Sequence, residues 1–305
     1  MDFDELRTFV TVAALGNFTQ AGHRLHRSQP AISRRLSLLE QELGVPLFER
    51  LRERARLTEA GRAFLLHAEA ALASLDDARQ AVRGLQAGLQ GAISLALVGT
   101  LADSHIVGLL RRFTQRAPGM RLQLRTASSA EVSDLVGRGE ATLGLRYFTG
   151  NRPGLVSFEA GAEAMLVIAA AGHRLAGHRI RQARALAGER WIGFPPAQAE
   201  RDSSGHVLRR LLIKAGLDDA DFTVIDSLTA QKRLVQAGFG LALVPETSVR
   251  DELHQGTLVA LDVPALRAAI PITAVHRSKG YLSPAALALL ALLTEKPKPG
   301  KKPPS

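Results

Sequence analysis

The side chains best suited to act on another molecule are hydrogen-bond donors gathered between Ser28 and Arg56. Ser28, Gln29, Ser33, Arg34 and Arg35 fall on one side of a helical repeat whose other side is Ile32, Leu36 and Leu39. A helix that presents such donors reaches base edges and phosphates when it lies in a DNA major groove. Arg50, Arg52, Arg54 and Arg56 follow at alternate positions. On one extended wing, a period of two places Arg52, Arg54 and Arg56 on a single face, suited to phosphates or a minor groove. The bland alternatives are a helical bundle with a basic face and a solvated charged loop.

Catalytic chemistry has no comparable support. The chain has no Gly-x-Ser-x-Gly, no Walker loop and no His-Glu-x-x-His. Gly137-Arg138-Gly139 and Gly238-Phe239-Gly240 read as turns between helix and strand. His173 and His178 stand five apart without a third ligand nearby, so neither a metal nor another cofactor is expected. One Trp and two Tyr make no platform for stacking single strands. The absence of cysteine excludes disulfides and thiol chemistry and fits a reducing cytoplasm. No basic n-region precedes an apolar run at the N-terminus, and Ala285 to Leu293 is too short to span a bilayer. A cytoplasmic protein is expected.

Charge points the same way. The net charge is +10, and Arg24 to Arg62 holds nine Arg against five Glu. The excess therefore sits where phosphates would lie. Four Lys and four Pro in the last ten residues form a basic tail that cannot bury enough apolar surface to order itself.

These donors need elements to hold them. Residues 2–14 read as an amphipathic helix with Leu6, Phe9, Val10 and Ala13 inward. Thr19 is placed to cap a short helix over QAGHRL, and Ser28 to cap a second with Pro30 in its first turn. From Thr58 to about Gln86 a continuous helix carries Phe64, Ala68, Ala71, Leu75, Ala78, Val82 and Leu85 at spacings of 4, 3, 4, 3, 4, 3. That is a heptad seam, expected to pair with a second copy. Gly84, Gly88 and Gly91 mark its end and a hinge. Beyond Gly91, strands alternate with helices, with separate strands expected at 155–159 and 164–170. The order implies an α/β fold with a parallel sheet.

In such sheets ligands bind at the carboxyl ends of strands, near helix N-termini. Thr100, Ser128, Ser129, Ser203 and Thr229 stand at such ends. Arg146 could pair with an anionic ligand or with Asp226. Each hydroxyl alone reads first as a helix cap.

The run SQPAISRRLSLLEQELGVPLFER, followed by LTEAG, resembles the N-terminal signature of the LysR-type transcriptional regulators almost position for position. The order of elements after residue 91 and AGFGLALVPE at 237–246 resemble the same family's effector region more weakly. Gly22 stands where the family usually has a second alanine, which implies a looser first helix. The resemblance implies a winged helix-turn-helix over 1–58, a dimerising linker helix over 59–90 and a two-lobed periplasmic-binding-protein-like domain. Lobe I would be 91–160 with 267–294, lobe II 161–266, and 295–305 a disordered tail. It implies a dimeric or tetrameric regulator of a pseudo-palindromic operator, responsive to a small-molecule effector, with an anion among the candidates. The competing function is a small-molecule-binding protein of solute-binding type with no regulatory DNA role.

The two sets of donors separate by experiment. Arg34→Ala should cost about 1–3 kcal/mol on a cognate site and little on scrambled DNA, if it reads a base pair bidentately. Alanine at Arg52, Arg54 and Arg56 together should weaken binding to every sequence. It should also flatten the salt dependence by about one unit per lost phosphate contact. An unchanged salt slope in the triple variant would refute the wing assignment.

Overall fold

Asp2 and Glu5 form a reciprocal capping box that opens α1 (Phe3–Leu15), and Gly16 closes it in the left-handed region. The structure, a computed structural model, describes residues 1–51, 54–87, 91–103, 105–148, 150, 152–195 and 204–295. Helix α2 (Phe18–Arg24) is capped by Asn17, whose side chain accepts from the Gln20 N–H, and not by Thr19. The helix starts two residues earlier than a Thr19 cap allows, which leaves Thr19 inside its first turn. Ser28 does occupy the N-cap position of α3 (Gln29–Leu43), with Pro30 in the first turn, but its side chain makes no capping bond.

Gly22 has a reason to be glycine. A Cβ there would stand 2.7 Å from the Arg27 carbonyl oxygen, across the tight turn between the two helices. The missing methyl lets the turn close, rather than merely loosening α2.

A two-stranded wing follows, β1 (Phe48–Leu51) against β2 (Arg54–Leu57). Leu51 pairs with Arg54, so the chain has reversed between them and the arginine run is not one extended strand. Helix α4 (Glu59–Ala87) leaves the wing under Thr58, whose hydroxyl oxygen accepts from the Gly61 N–H and whose proton goes to the Pro46 carbonyl. The helix runs through Gly84. Gly88 lies outside the described residues.

The second half is one nine-stranded sheet bent into two α/β lobes. In the first lobe β3 (Gly91–Val98) lies parallel to β4 (Met120–Ala127) and β5 (Leu143–Tyr147). Helices α5 (His105–Arg116) and α6 (Ser129–Gly137) connect them. In the second, β7 (Trp191–Gly193) lies parallel to β8 (Phe222–Val224) and β9 (Leu241–Pro245). Its helices are α7 (Ser204–Lys214), α8 (Leu228–Gln236) and α9 (Arg250–Gln255).

Two long antiparallel strands cross between the lobes: β6 (Leu155–Ala170) and β11 (Ala268–Arg277). β6 also carries the short β10 (Leu258–Leu261), and α10 (Pro284–Thr294) packs back on β6 and β11. The two strands expected at 155–159 and 164–170 are thus one. Gly161, at φ +115°, and a register shift opposite Ile272 and Thr273 bend it without breaking its pairing.

Gly61 allows the closest approach in the N-terminal domain. A Cβ on it would sit 2.1 Å from the Leu47 carbonyl oxygen and 2.9 Å from a Leu57 methyl. Gly61→Ala should therefore push α4 off the wing and lower stability by about 1–3 kcal/mol, the usual cost of overpacking. Thermal melting of residues 1–87 compared with the full chain reads this, and an unshifted melting temperature would show that α4 is not seated there.

Candidate nucleic-acid interface and effector cleft

The core of the N-terminal domain fixes which side of α3 is left for DNA. Ile32, Leu36 and Leu39 are fully buried, each worth about 1.5–3 kcal/mol in apolar burial. Phe9 packs its ring 5.4 Å from Phe48 and 5.1 Å from Phe64, so α1, the wing and α4 meet in one aromatic cluster. Glu40 accepts from the backbone N–H groups of Leu47 and Phe48, tying α3 to the start of the wing. With α3 held on that side, Gln29, Pro30 and Arg34 are exposed and Ser33 half-buried beside them. The Gln29 amide donates to the Ser33 hydroxyl at 3.0 Å. Arg34 makes no ion pair among the described residues.

Arg35 is placed differently from the rest. Its guanidinium lies 3.0 Å from the Asp4 carboxylate on α1, with Arg27 at 3.4 Å from the same oxygen. The Arg35 hydrogen bond and charge hold the Asp4 carboxyl below its ordinary pKa. Arg35 therefore braces α3 against α1 while its side chain stays partly exposed. On the wing, Arg56 is exposed and stands across from Glu49, while Arg54 lies two residues before it on the same strand. Arg50 stands opposite Ala55 in the ladder. Arg52 and the side chains of Arg50 and Arg54 lie outside the described residues.

The heptad seam divides into two parts. Ala68 is buried, and Phe64 and Ala71 pack partly buried, all within the N-terminal domain's own core. Ala68 is thus covered by its own domain, and Phe64 and Ala71 keep part of their surface exposed. Leu75 is half-buried, Ala78 is exposed and Val82 is 70% exposed. The Leu85 side chain lies outside the described residues. The opposite face of α4 meets lobe I. Arg277 donates to Asp77 at 2.6 Å, Arg138 stands 3.8 Å from Glu69, and Gly139 is so close to Ala73 that a Cβ on it would fall 2.7 Å away. Burial in this contact raises the Glu69 pKa, against the pull of Arg138.

At the carboxyl ends of the lobe I strands, Thr100, Ser129 and Tyr147 come together. Thr100 donates to the Tyr147 hydroxyl at 3.0 Å, and the Ser129 hydroxyl accepts from the Tyr147 N–H at 3.3 Å. Ser128 forms a capping box with Glu131, whose carboxyl is held below its ordinary pKa by the Ser128 N–H. Thr229 is exposed inside the first turn of α8, whose cap is Ser227. Arg146 is buried and donates to the Gly150 carbonyl, while Asp226 is exposed. Ser203 lies outside the described residues. Glu163, Thr247 and the Asp77–Arg277 pair had no place in the reading of the sequence. The signal that could have found Glu163 is a lone Glu in the apolar run Ala162 to Ala170.

Two family descriptions match this arrangement. Residues 3–62 match the bacterial regulatory helix-turn-helix protein of the lysR family, and residues 86–298 match the LysR substrate binding domain. The chain belongs to the LysR family. It is a DNA-binding transcriptional regulator with an effector-binding domain, which decides against the solute-binding alternative. The transcriptional regulator TfdS of Cupriavidus pinatubonensis is 34% identical over 252 residues, covering 80% of this chain and 82% of that one. ClcR of Pseudomonas putida is 29% identical, covering 96% and 98%. The solved structure of full-length CbnR with its target DNA is 27% identical, covers 96% of this chain and 99% of that one, and superposes with a TM-score of 0.64. These relatives are regulators rather than enzymes. Among the described residues no helix is long and apolar enough to cross a membrane.

Proposed function

We propose that this regulator acts in the cytoplasm as a homodimer or a tetramer built from dimers, and that the free half of the α4 seam joins the two copies. The supporting observation is the division of α4. One face, through Glu69, Ala73 and Asp77, is taken by lobe I, and the start of the other is buried in the N-terminal core. Leu75, half-buried, and Ala78 and Val82, exposed, continue that second face. A partner helix there would bury them and set two copies of α3 about a dyad, as a pseudo-palindromic operator requires.

Within each copy, Ser33 and Arg34 read base edges and Gln29 orients Ser33. The Ser28–Pro30 turn brings the start of α3 to the groove. Arg50, Arg52, Arg54 and Arg56 bind phosphates. The cleft between the lobes holds the effector, with Thr100 and Ser129 on one wall and Thr229 on the other, and Ser203 is a further effector ligand by its place in the sequence. Ser128 serves mainly as a cap. The chain binds and responds and carries no catalytic step of its own.

The experiment is sedimentation of the full-length protein with Asp at both Leu75 and Val82. Two carboxylates per copy would face two more across the seam and cost far more than the apolar contact gains. The double variant is expected to lose the dimer while its melting temperature holds, because neither residue packs in the N-terminal core. A variant that still sediments as a dimer of this helix would remove the seam and the dyad with it.

A further inference from the structure

The cleft contains a buried carboxylate that neither DNA reading nor α4 pairing uses. Glu163 lies on β6, where that strand passes from one lobe to the other, and it is 4% exposed. It is opposite Ile270 on β11 and two residues before the point where β6 begins to pair with β9. One carboxylate oxygen accepts from the Tyr147 hydroxyl at 3.0 Å. The other accepts from the Thr247 hydroxyl. Tyr147, itself buried, accepts from Thr100.

A continuous chain of hydrogen bonds therefore runs Thr100, Tyr147, Glu163, Thr247. Thr100 and Tyr147 belong to lobe I. Thr247 lies in the single helical turn Glu246–Val249 that follows β9 in lobe II. The short helical turn that carries Thr100, Gly99–Asp103, abuts the turn that carries Thr247. Two half-exposed threonines from different lobes thus stand over one buried acceptor.

The local backbone marks the same place. Phe148, next to Tyr147, has φ +67°, a conformation that bulky residues rarely adopt. Its N–H is held by the Pro271 carbonyl at 2.8 Å. Gly161 lies two residues before Glu163, and the register shift of β6 against β11 falls next to it, between Gly161 and Glu159.

We propose that Glu163 is a positioning residue for effector binding: it straps lobe I to lobe II and so sets the resting opening of the cleft. The strap works by direction as well as by contact. A hydroxyl has one proton, and both threonines and Tyr147 send theirs toward Glu163. With the carboxylate ionised, the chain has a single consistent direction and each link is charge-assisted or feeds one that is. Thr247 holds Glu163 within lobe II, so opening the lobes breaks the Tyr147 link and leaves a buried carboxylate short of a donor, which opposes opening. An effector that enters between the lobes changes the balance between resting and rearranged states by what it offers these threonines. That consequence rests on the reading of the cleft as the effector site. The strap itself does not.

The chain has no cysteine, so paired spin labels can be placed without background. Gln115→Cys on α5 and Gln182→Cys in lobe II are both exposed. The interlobe distance is measured by pulsed electron resonance on the full chain, diluted with unlabelled protein, with no effector and no DNA. Thr247→Val removes one hydrogen bond to Glu163, and Tyr147→Phe removes the other together with the Thr100 bond within lobe I; both keep the shape of the side chain. Each is expected to raise the population of open conformers by roughly three- to ten-fold, the effect of one lost hydrogen bond to Glu163.

Glu163→Gln should keep both links without the charge and so open less than Thr247→Val. Its amide oxygen accepts from Thr247 while its NH2 donates to Tyr147, whose proton then turns to Thr100. Distances as narrow as wild type in Thr247→Val and Tyr147→Phe would overturn the strap. So would a Glu163→Gln variant as open as Thr247→Val, because Glu163 would then matter through its charge or burial alone. If the strap behaves as expected but saturating metabolites never perturb the labelled cleft, the effector reading fails and the strap stands.

Discussion

The rest of the molecule depends on how closely α4 is seated against the wing. Gly61 lies under the Leu47 carbonyl with no room for a methyl, and three residues later Phe64 enters the aromatic cluster with Phe9 and Phe48. These contacts make the first turns of a 29-residue helix part of the DNA-binding core. The helix is then a rigid arm. At about 1.5 Å per residue it carries the orientation of α3 some 40 Å away from the groove. Whatever grips the far end of that arm decides where the recognition helix points.

Two things meet the arm beyond the core. Lobe I takes one face through the Arg277–Asp77 pair, whose partners are mostly buried and 200 residues apart in sequence. The opposite face is half-buried at Leu75 and exposed at Ala78 and Val82. Because lobe I is fixed to the arm, the element left to move is lobe II, joined through the two crossing strands and the hydrogen bonds at Glu163. On the proposed reading, the route from effector to DNA is short: the angle between the lobes, then the contact of lobe I with α4, then the dyad.

Much of this was legible in the sequence because periodic burial leaves a periodic record. Ile32, Leu36 and Leu39 announced the buried face of α3 and, by difference, the exposed one. The α/β alternation after Gly91 gave the order of strands and helices. Legibility failed where two partners competed for one pattern. The heptad from Phe64 to Leu85 is regular throughout, yet its first half packs on its own domain, since an apolar position does not say whose surface will cover it. It failed also where a single polar contact decides a role. Arg35 sits among DNA-facing donors by spacing but is drawn back to Asp4. Thr19 and Thr229 have the chemistry of caps, but Asn17 and Ser227 lie where the helices begin. Glu163 needed the fold, because its donors come from β5 and from beyond β9.

The central claim is that two copies of α3 are held at a fixed separation by the pairing of α4. Selection of binding sites from a random pool of double-stranded DNA by the full-length protein tests it most directly. The account predicts an enriched pseudo-palindrome with half-sites about one helical turn, or a whole multiple of it, apart. Enrichment of a lone half-site, or of half-sites at no constant spacing, would contradict it.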